Sequence, residues 1–190
     1  MKIMLRDVRL AFPSLWKPTA PASGGEPAFS ASFLMPKSHP QMAELKSALI
    51  AVAKEKWPTK FEEVLKALKA GDKLCLHDGD VKSDYEGYAG NMFVSARAKV
   101  KPTVIGAHRE ELLEQDGKPY SGCYVNASLE LWAMDNNFGK RINAQLRGVQ
   151  FVRDGDAFSG GSRAAAADEF EDISAPVEET SPAGGASLLD

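Results

Sequence analysis

Two hydrophobic periods take turns along the chain, and where they change marks its elements. From Ile3 to Phe12, apolar and β-branched residues are spaced by Arg6, Asp7 and Arg9, which predicts a strand with one wet face that ends at Pro13. Positions 17–27 hold Pro18, Pro21, Gly24, Gly25 and Pro27 and read as a loop. Ala28 to Met35 then places Phe29, Ala31, Phe33 and Met35 on one strand face and stops at Pro36. The period next lengthens. Met42, Leu45, Leu49, Val52 and Ala53 recur at helical spacing after a Ser38 cap, and the helix they predict ends near Trp57-Pro58. Phe61, Val64, Leu65 and Leu68 predict a second helix, from a Thr59 cap to Gly71. A helical hairpin, about 38–70, is thus inserted between strands.

After Asp72 the period returns to two. Lys73 to His77 predicts a short strand, Asp78-Gly79-Asp80 a turn, and 81–91 a glycine-punctuated loop with two tyrosines. Met92, Val94, Ala96, Ala98 and Val100 alternate with Phe93, Ser95, Arg97, Lys99 and Lys101, the clearest strand pattern in the chain. Cys123–Met134 and Arg141–Val152, joined by the turn at 135–140, predict a hairpin. Five or six strands with one helical insertion fit a small Greek-key barrel better than a parallel sheet, which needs a helix between most strands. Beyond Phe158 the composition shifts to Gly, Ser, Ala, Pro and acids, too little apolar surface to offset ordering. One domain over 1–158 and a disordered acidic tail over 159–190 are expected.

Charge sharpens this division. Residues 154–190 carry nine acids against one base, Arg163, so a net of −8 sits there and residues 1–153 carry +5 of the total −3. A basic body with an acidic tail suits a nucleic-acid binder, although many soluble proteins have charged tails of no consequence. No apolar run is long enough to span a bilayer, and the charged start Met1-Lys2-Ile3-Met4-Leu5-Arg6-Asp7 does not read as a signal peptide, so a cytoplasmic, membrane-free protein is expected. Cys75 and Cys123 read as buried free thiols rather than a disulfide in a reducing compartment.

Period two also assigns faces. With Val125, Ala127, Leu129 and Leu131, and Ile142, Ala144 and Leu146, turned inward, the outer face carries Phe93, Arg97, Lys99, Tyr124, Trp132, Arg141 and Arg147, with Tyr85 and Tyr88 in the adjoining loop. Aromatic rings interleaved with cations suit unpaired nucleotides, whose bases stack on rings while cations follow the backbone. The competing reading packs Phe93 and Trp132 under a second layer and leaves the cations as a solvated surface.

Catalytic patterns are sparse. His39, His77 and His108 lack metal-site spacing, and neither a phosphate-binding glycine loop nor a nucleophile elbow is present. Asp78 and Asp80 could hold Mg²⁺ in a nuclease, while a polar turn explains the same letters. No enzyme, cofactor or metal is expected.

The succession Tyr85-x-x-Tyr88-x-Gly90-x-x-Phe93-x-Ser95-Ala96, then Tyr120-Ser121-Gly122-Cys123-Tyr124, then Gly139-Lys140-Arg141-Ile142-x-x-x-Leu146-x-Gly148-Val149-Gln150-Phe151, with the acidic tail, resembles phage-encoded OB-fold single-stranded DNA-binding proteins. The resemblance covers nearly the whole chain. It implies an OB-like barrel that protects single-stranded DNA in phage replication, recombination or repair. It also implies a tail that contacts replication or recombination proteins and occupies the DNA groove when DNA is absent. Tails of this kind often end on an aromatic residue; here the last residues are Ser187-Leu188-Leu189-Asp190, so the expected contact moves to Asp168-Glu169-Phe170-Glu171-Asp172. A homodimer is compatible with this reading. A strand-annealing recombinase and a virion structural protein are the remaining alternatives.

Overall fold

The computed structural model describes residues 1–21 and 24–158; the expected tail, with Phe170 and its flanking acids, lies outside them. Seven strands and two helices follow in the order β1 (Lys2–Thr19), β2 (Ala28–Pro36), α1 (Met42–Lys56), α2 (Phe61–Ala70), β3 (Leu76–Asp78), β4 (Asn91–Ala98), β5 (Thr103–Ile105), β6 (Tyr124–Asn136) and β7 (Gly139–Arg153). β1 pairs antiparallel with β2 on one side and with β6 on the other, β2 pairs with β4, and β6 with β7. A parallel pairing of β4 with β7, Ala96 opposite Ala144 and Arg97 opposite Gln145, completes the ring. This is a closed five-stranded OB-type barrel, to which β3 adds on β4 and β5 on β7.

Closure depends on β1. Its 18 residues extend past Pro13, where the sequence pattern predicts an end, because the register shifts between Ala11 and Ser14 and again between Leu5 and Val8. Asp7 and Phe12 take φ of +51° and +47° at these irregularities, so the strand bends twice and still pairs on both edges. Pro13 lies inside the second irregularity, where its missing N–H interrupts no ladder.

The interior is the alternating set that the pattern predicts: Ala31 and Phe33 on β2, Val94 and Ala96 on β4, Val125 to Leu131 on β6, and Ile142, Ala144 and Leu146 on β7. α1 lies along β6 and buries Met42, Leu45, Leu49, Val52 and Ala53. The expected Ser38 and Thr59 caps do not form; the cap positions are Gln41 and Lys60, without side-chain cap bonds. Gln41 instead crosses to the bent part of β1. It accepts from Arg6 N at 2.7 Å and donates to Met4 O at 2.8 Å, so it serves strand backbone rather than helix backbone. At the other end of α1, the Trp57 indole donates to Asp135 at 2.7 Å, which ties the helical hairpin to the β6–β7 turn. Residues 73–75 bridge β4 and β7, with Ser95 N donating to Cys75 O and Ile142 N to Lys73 O. β5 falls where the sequence pattern predicts no element, since three residues are too short to display a period.

Both cysteines are free and buried. Burial pushes the Cys75 thiol up to about 12 and the Cys123 thiol up to about 11. Because the thiolate is the reactive form, neither should react with an aromatic disulfide reagent at pH 8 in the native protein, and both should react after denaturation. Absorbance titration with and without guanidinium checks this; two fast native thiols would contradict the burial.

Candidate nucleic-acid interface

The outer surface of β1, β2 and β4 divides into two parts. At one end a second, smaller core forms from Ala11, Leu34, Tyr88, Phe93 and Phe158. Two expected surface residues, Tyr88 and Phe93, lie in it at 1% and 2% exposure, so the expectation that they face solvent is corrected. The cause is a covering layer that strand alternation cannot show. The 81–91 loop folds back over β4, Tyr88 meets Phe93 edge-on at 5.0 Å, and His77 stacks on Phe93 at 4.8 Å. Burial holds the Tyr88 phenol above its ordinary value, against a lowering bond to Ser32.

Asp78 and Asp80 brace this loop. Asp78 accepts from Asp80 N at 3.0 Å, Asp80 accepts from Gly90 N at 2.7 Å, and the Lys37 ammonium bridges both carboxylates at 3.2 and 2.7 Å. Gly79 is required there, since a Cβ would lie 2.1 Å from the Tyr88 carbonyl oxygen. A lysine between the two acids occupies the position that a catalytic Mg²⁺ would need. The nuclease alternative is therefore replaced by a structural role, and among the described residues no group of three or more His, Cys, Asp or Glu is placed to hold a metal.

The other end of the face is open. Ser30 and Ser32 alternate with the buried β2 residues and pair with Arg97 and Ser95 on β4, and Ser14 pairs with Ser30. One cross-strand row runs Ser30, Arg97, Gln145, Glu130 around the barrel. Arg97, Lys99, Trp132 and Gln145 line a groove of about 600 Å³ whose other wall is the β1–β2 connection at Pro21 and Gly24–Pro27. Trp132 is 44% exposed. Arg97 and Arg141 are exposed and have no ion pair among the described residues. Lys99 pairs with Glu26 at 2.6 Å, which holds the Glu26 carboxyl below its ordinary value. Both groups are exposed, so the pair is weak and open to competition from phosphate.

The remaining expected residues separate from this groove. Arg147 is tied to Glu130 at 2.6 Å. Tyr124 is not free for a base, since the Arg153 guanidinium covers its ring at 3.4 Å and Arg9 approaches at 5.6 Å. It lines a different hollow, of about 640 Å³, with Arg6, Asp7, Arg9 and His39. Arg141 lies toward the β6–β7 turn, opposite Met134. Tyr85 is exposed and meets Phe12, a residue that the strand pattern assigns no role. Phe138 at the β6–β7 turn, 89% exposed, was likewise legible only as part of a turn.

A closed barrel of this topology, with a cationic groove bearing an indole on its outer face, defines the OB-type class of single-strand nucleic-acid-binding folds. Residues 1–180 match the family described as Enterobacter phage Enc34, ssDNA-binding protein, and the chain belongs to that family. It is 48% identical over 182 residues, 94% of this chain and 97% of the other, to putative protein p50 of Acyrthosiphon pisum secondary endosymbiont phage 1. Among solved structures it is similar to the Enc34 single-stranded DNA-binding protein in complex with ssDNA (TM-score 0.70, 33% identity, 83% of this chain and 89% of that one). Bacteriophage T7 gp2.5, a single-stranded DNA-binding protein, shares the fold at 15% identity (TM-score 0.54, 94% of this chain and 100% of that one). The family is one of DNA-binding proteins rather than enzymes. Among the described residues no helix is long and apolar enough to cross a membrane.

Lys37 and the Gly90 amide hold the Asp80 carboxyl below its ordinary range. A depressed acid supports its loop above its unfolded pKa and releases it as pH falls through the folded value. The Gly90 amide resonance should therefore shift, as pH is lowered, with a midpoint below the ordinary aspartate value. An NMR titration reads this directly, and a midpoint at or above the ordinary value would remove the proposed brace.

Proposed function

We infer that this protein binds single-stranded DNA without sequence preference and without turnover, in phage DNA replication, recombination or repair within the host cytoplasm. The observation that carries the reading is the groove joining Trp132 to Arg97 and Lys99 on the outer barrel face. An indole offers a π-face to any base, and the two cations offer charge to the backbone, so neither contact depends on base identity. The solved Enc34 relative, in complex with ssDNA, supports the choice of ligand. Arg141 and Tyr85 extend the candidate surface beyond the groove, while Tyr88, Phe93 and Tyr124 support it from beneath or beside.

Measured by fluorescence anisotropy with an oligothymidine, Trp132→Ala should weaken binding by about 5- to 150-fold, the range of one lost stacking contact. Arg97→Ala should lower the slope of log affinity against log salt by about 0.7, one phosphate contact on a single strand. Wild-type affinity in both variants would remove the groove from the binding site.

The acidic tail, in this reading, competes with DNA and offers Asp168–Asp172, with Phe170, to replication or recombination proteins. Its point of departure supports the competition. Residues 154–158 turn back over β1, where Arg9 donates to Asp156 O at 2.8 Å and its guanidinium lies 4.4 Å from the Phe158 ring. Phe158 seats in the smaller core against Gly87, where a Cβ would lie 2.4 Å from its ring, so the tail starts beside the loop that carries Tyr85. A protein ending at Phe158 keeps this anchor and loses most of the −8 charge. It should bind single strands more tightly than the full chain at low salt, with the difference shrinking as salt rises. Equal affinities at low salt would count against competition by the tail.

A further inference from the structure

Phe12 breaks two rules at once. A phenylalanine inside a strand should turn its ring toward an apolar layer, and a bulky residue should avoid positive φ. Phe12 has φ +47° and leaves its ring 56% exposed. Strain of this kind persists where surrounding structure enforces it, and it concentrates at binding sites. Here β1's pairing with β2 on either side of the irregularity, at Ala11 and at Ser14, frames it, and the ring is left exposed.

The ring has one exposed neighbour. Tyr85, 52% exposed, meets Phe12 edge-on, with centroids 5.3 Å apart and planes at 90°. An edge-to-face pair leaves ring faces available to a third flat partner. Tyr85 is held firmly, because its loop is braced at Asp78, Asp80 and Lys37 and packed from below by Tyr88. Two exposed aromatic side chains are thus held in place by the bend of β1 and the braced loop, with Tyr88 beside both.

Their position adds meaning. Between Phe12 on β1 and the Trp132 groove, the strand pairings run through Ser14, Ser30, Arg97 and Gln145, while Ser32 is taken up by its bond to Tyr88. Short hydroxyl side chains leave the floor low, with aromatic groups at either end. Four inter-strand steps span roughly 19 Å of arc, room for several unpaired nucleotides.

The geometry points to Phe12 and Tyr85 as a second stacking station, which takes an unpaired base at the far end of a serine-floored trough from Trp132. This rests on the reading of the groove as a single-strand site and adds a path across the strands from β6 to β1.

The test uses the full-length protein and an oligothymidine of about 16 nucleotides, the upper end of an OB-fold footprint. Phe12→Ala and Phe12→Gly should each weaken binding about 5- to 150-fold, as for one lost stacking contact. Phe12→Trp should bind as wild type. Phe12→Gly should also keep or raise the melting temperature, since glycine adopts positive φ without steric cost. Wild-type affinity in Phe12→Ala and Phe12→Gly, with loss in Trp132→Ala, would overturn the second station and leave the groove standing. Loss in Phe12→Gly that Phe12→Trp fails to restore would assign the effect to the backbone bend and overturn the station as well. If Trp132→Ala and Arg97→Ala also bind normally, the groove itself is misplaced, and failure of the wild type to bind any single strand would overturn the functional reading.

Discussion

The barrel closes because one strand bends. β1 is the only strand that pairs along its first half with β6 and along its second with β2, and a straight 18-residue ribbon could not turn between these partners. The two positive-φ residues, Asp7 and Phe12, absorb that turn, and each is tied into its surroundings. Asp7 N donates to Asn126, and its carboxylate takes both arms of Arg153, which in turn lies over Tyr124. Gln41 secures the backbone beside it. What looks in sequence like an assortment of polar residues is the reinforcement of a single bend.

Much of the fold was legible because burial on one side imposes strict alternation. β6 and β7 follow their predicted inward sets, β4 does so at Val94, Ala96 and Ala98 but ends before Val100, which is exposed, and the helical insertion shows its period in Met42, Leu45, Leu49 and Val52. The misplaced aromatic at Phe93 has a cause of its own. Alternation assumes that the reverse face meets water, and at Phe93 it meets a loop instead. Trp132, with the same pattern of neighbours, remains open. Nothing local to either residue separates these outcomes; the difference lies in where the 81–91 loop and Phe158 come to rest. Tyr124 shows a related limit, because its guanidinium neighbours arrive from Arg9 and Arg153, far apart in the chain.

The acids of Asp78-Gly79-Asp80 illustrate how chemistry read from letters can be redirected by a distant lysine. Two carboxylates two positions apart invite a cation, and one is supplied, but by Lys37 of the β2–α1 connection rather than by a metal. The same pair then positions the tyrosine loop. Residues that a catalytic reading would single out thus shape the surface beside them.

The ring of strands has a weakest joint. Ala96 with Ala144 and Arg97 with Gln145 are the only registered pairs between β4 and β7, whereas the other seams run over many residues. Arg97 and Gln145 also line the groove. A nucleotide held by both side chains would act as a clasp across the gap, so occupancy and mechanical integrity of the barrel are joined at one place, and a tightly seated strand would leave the fold harder to pry apart than it is when empty.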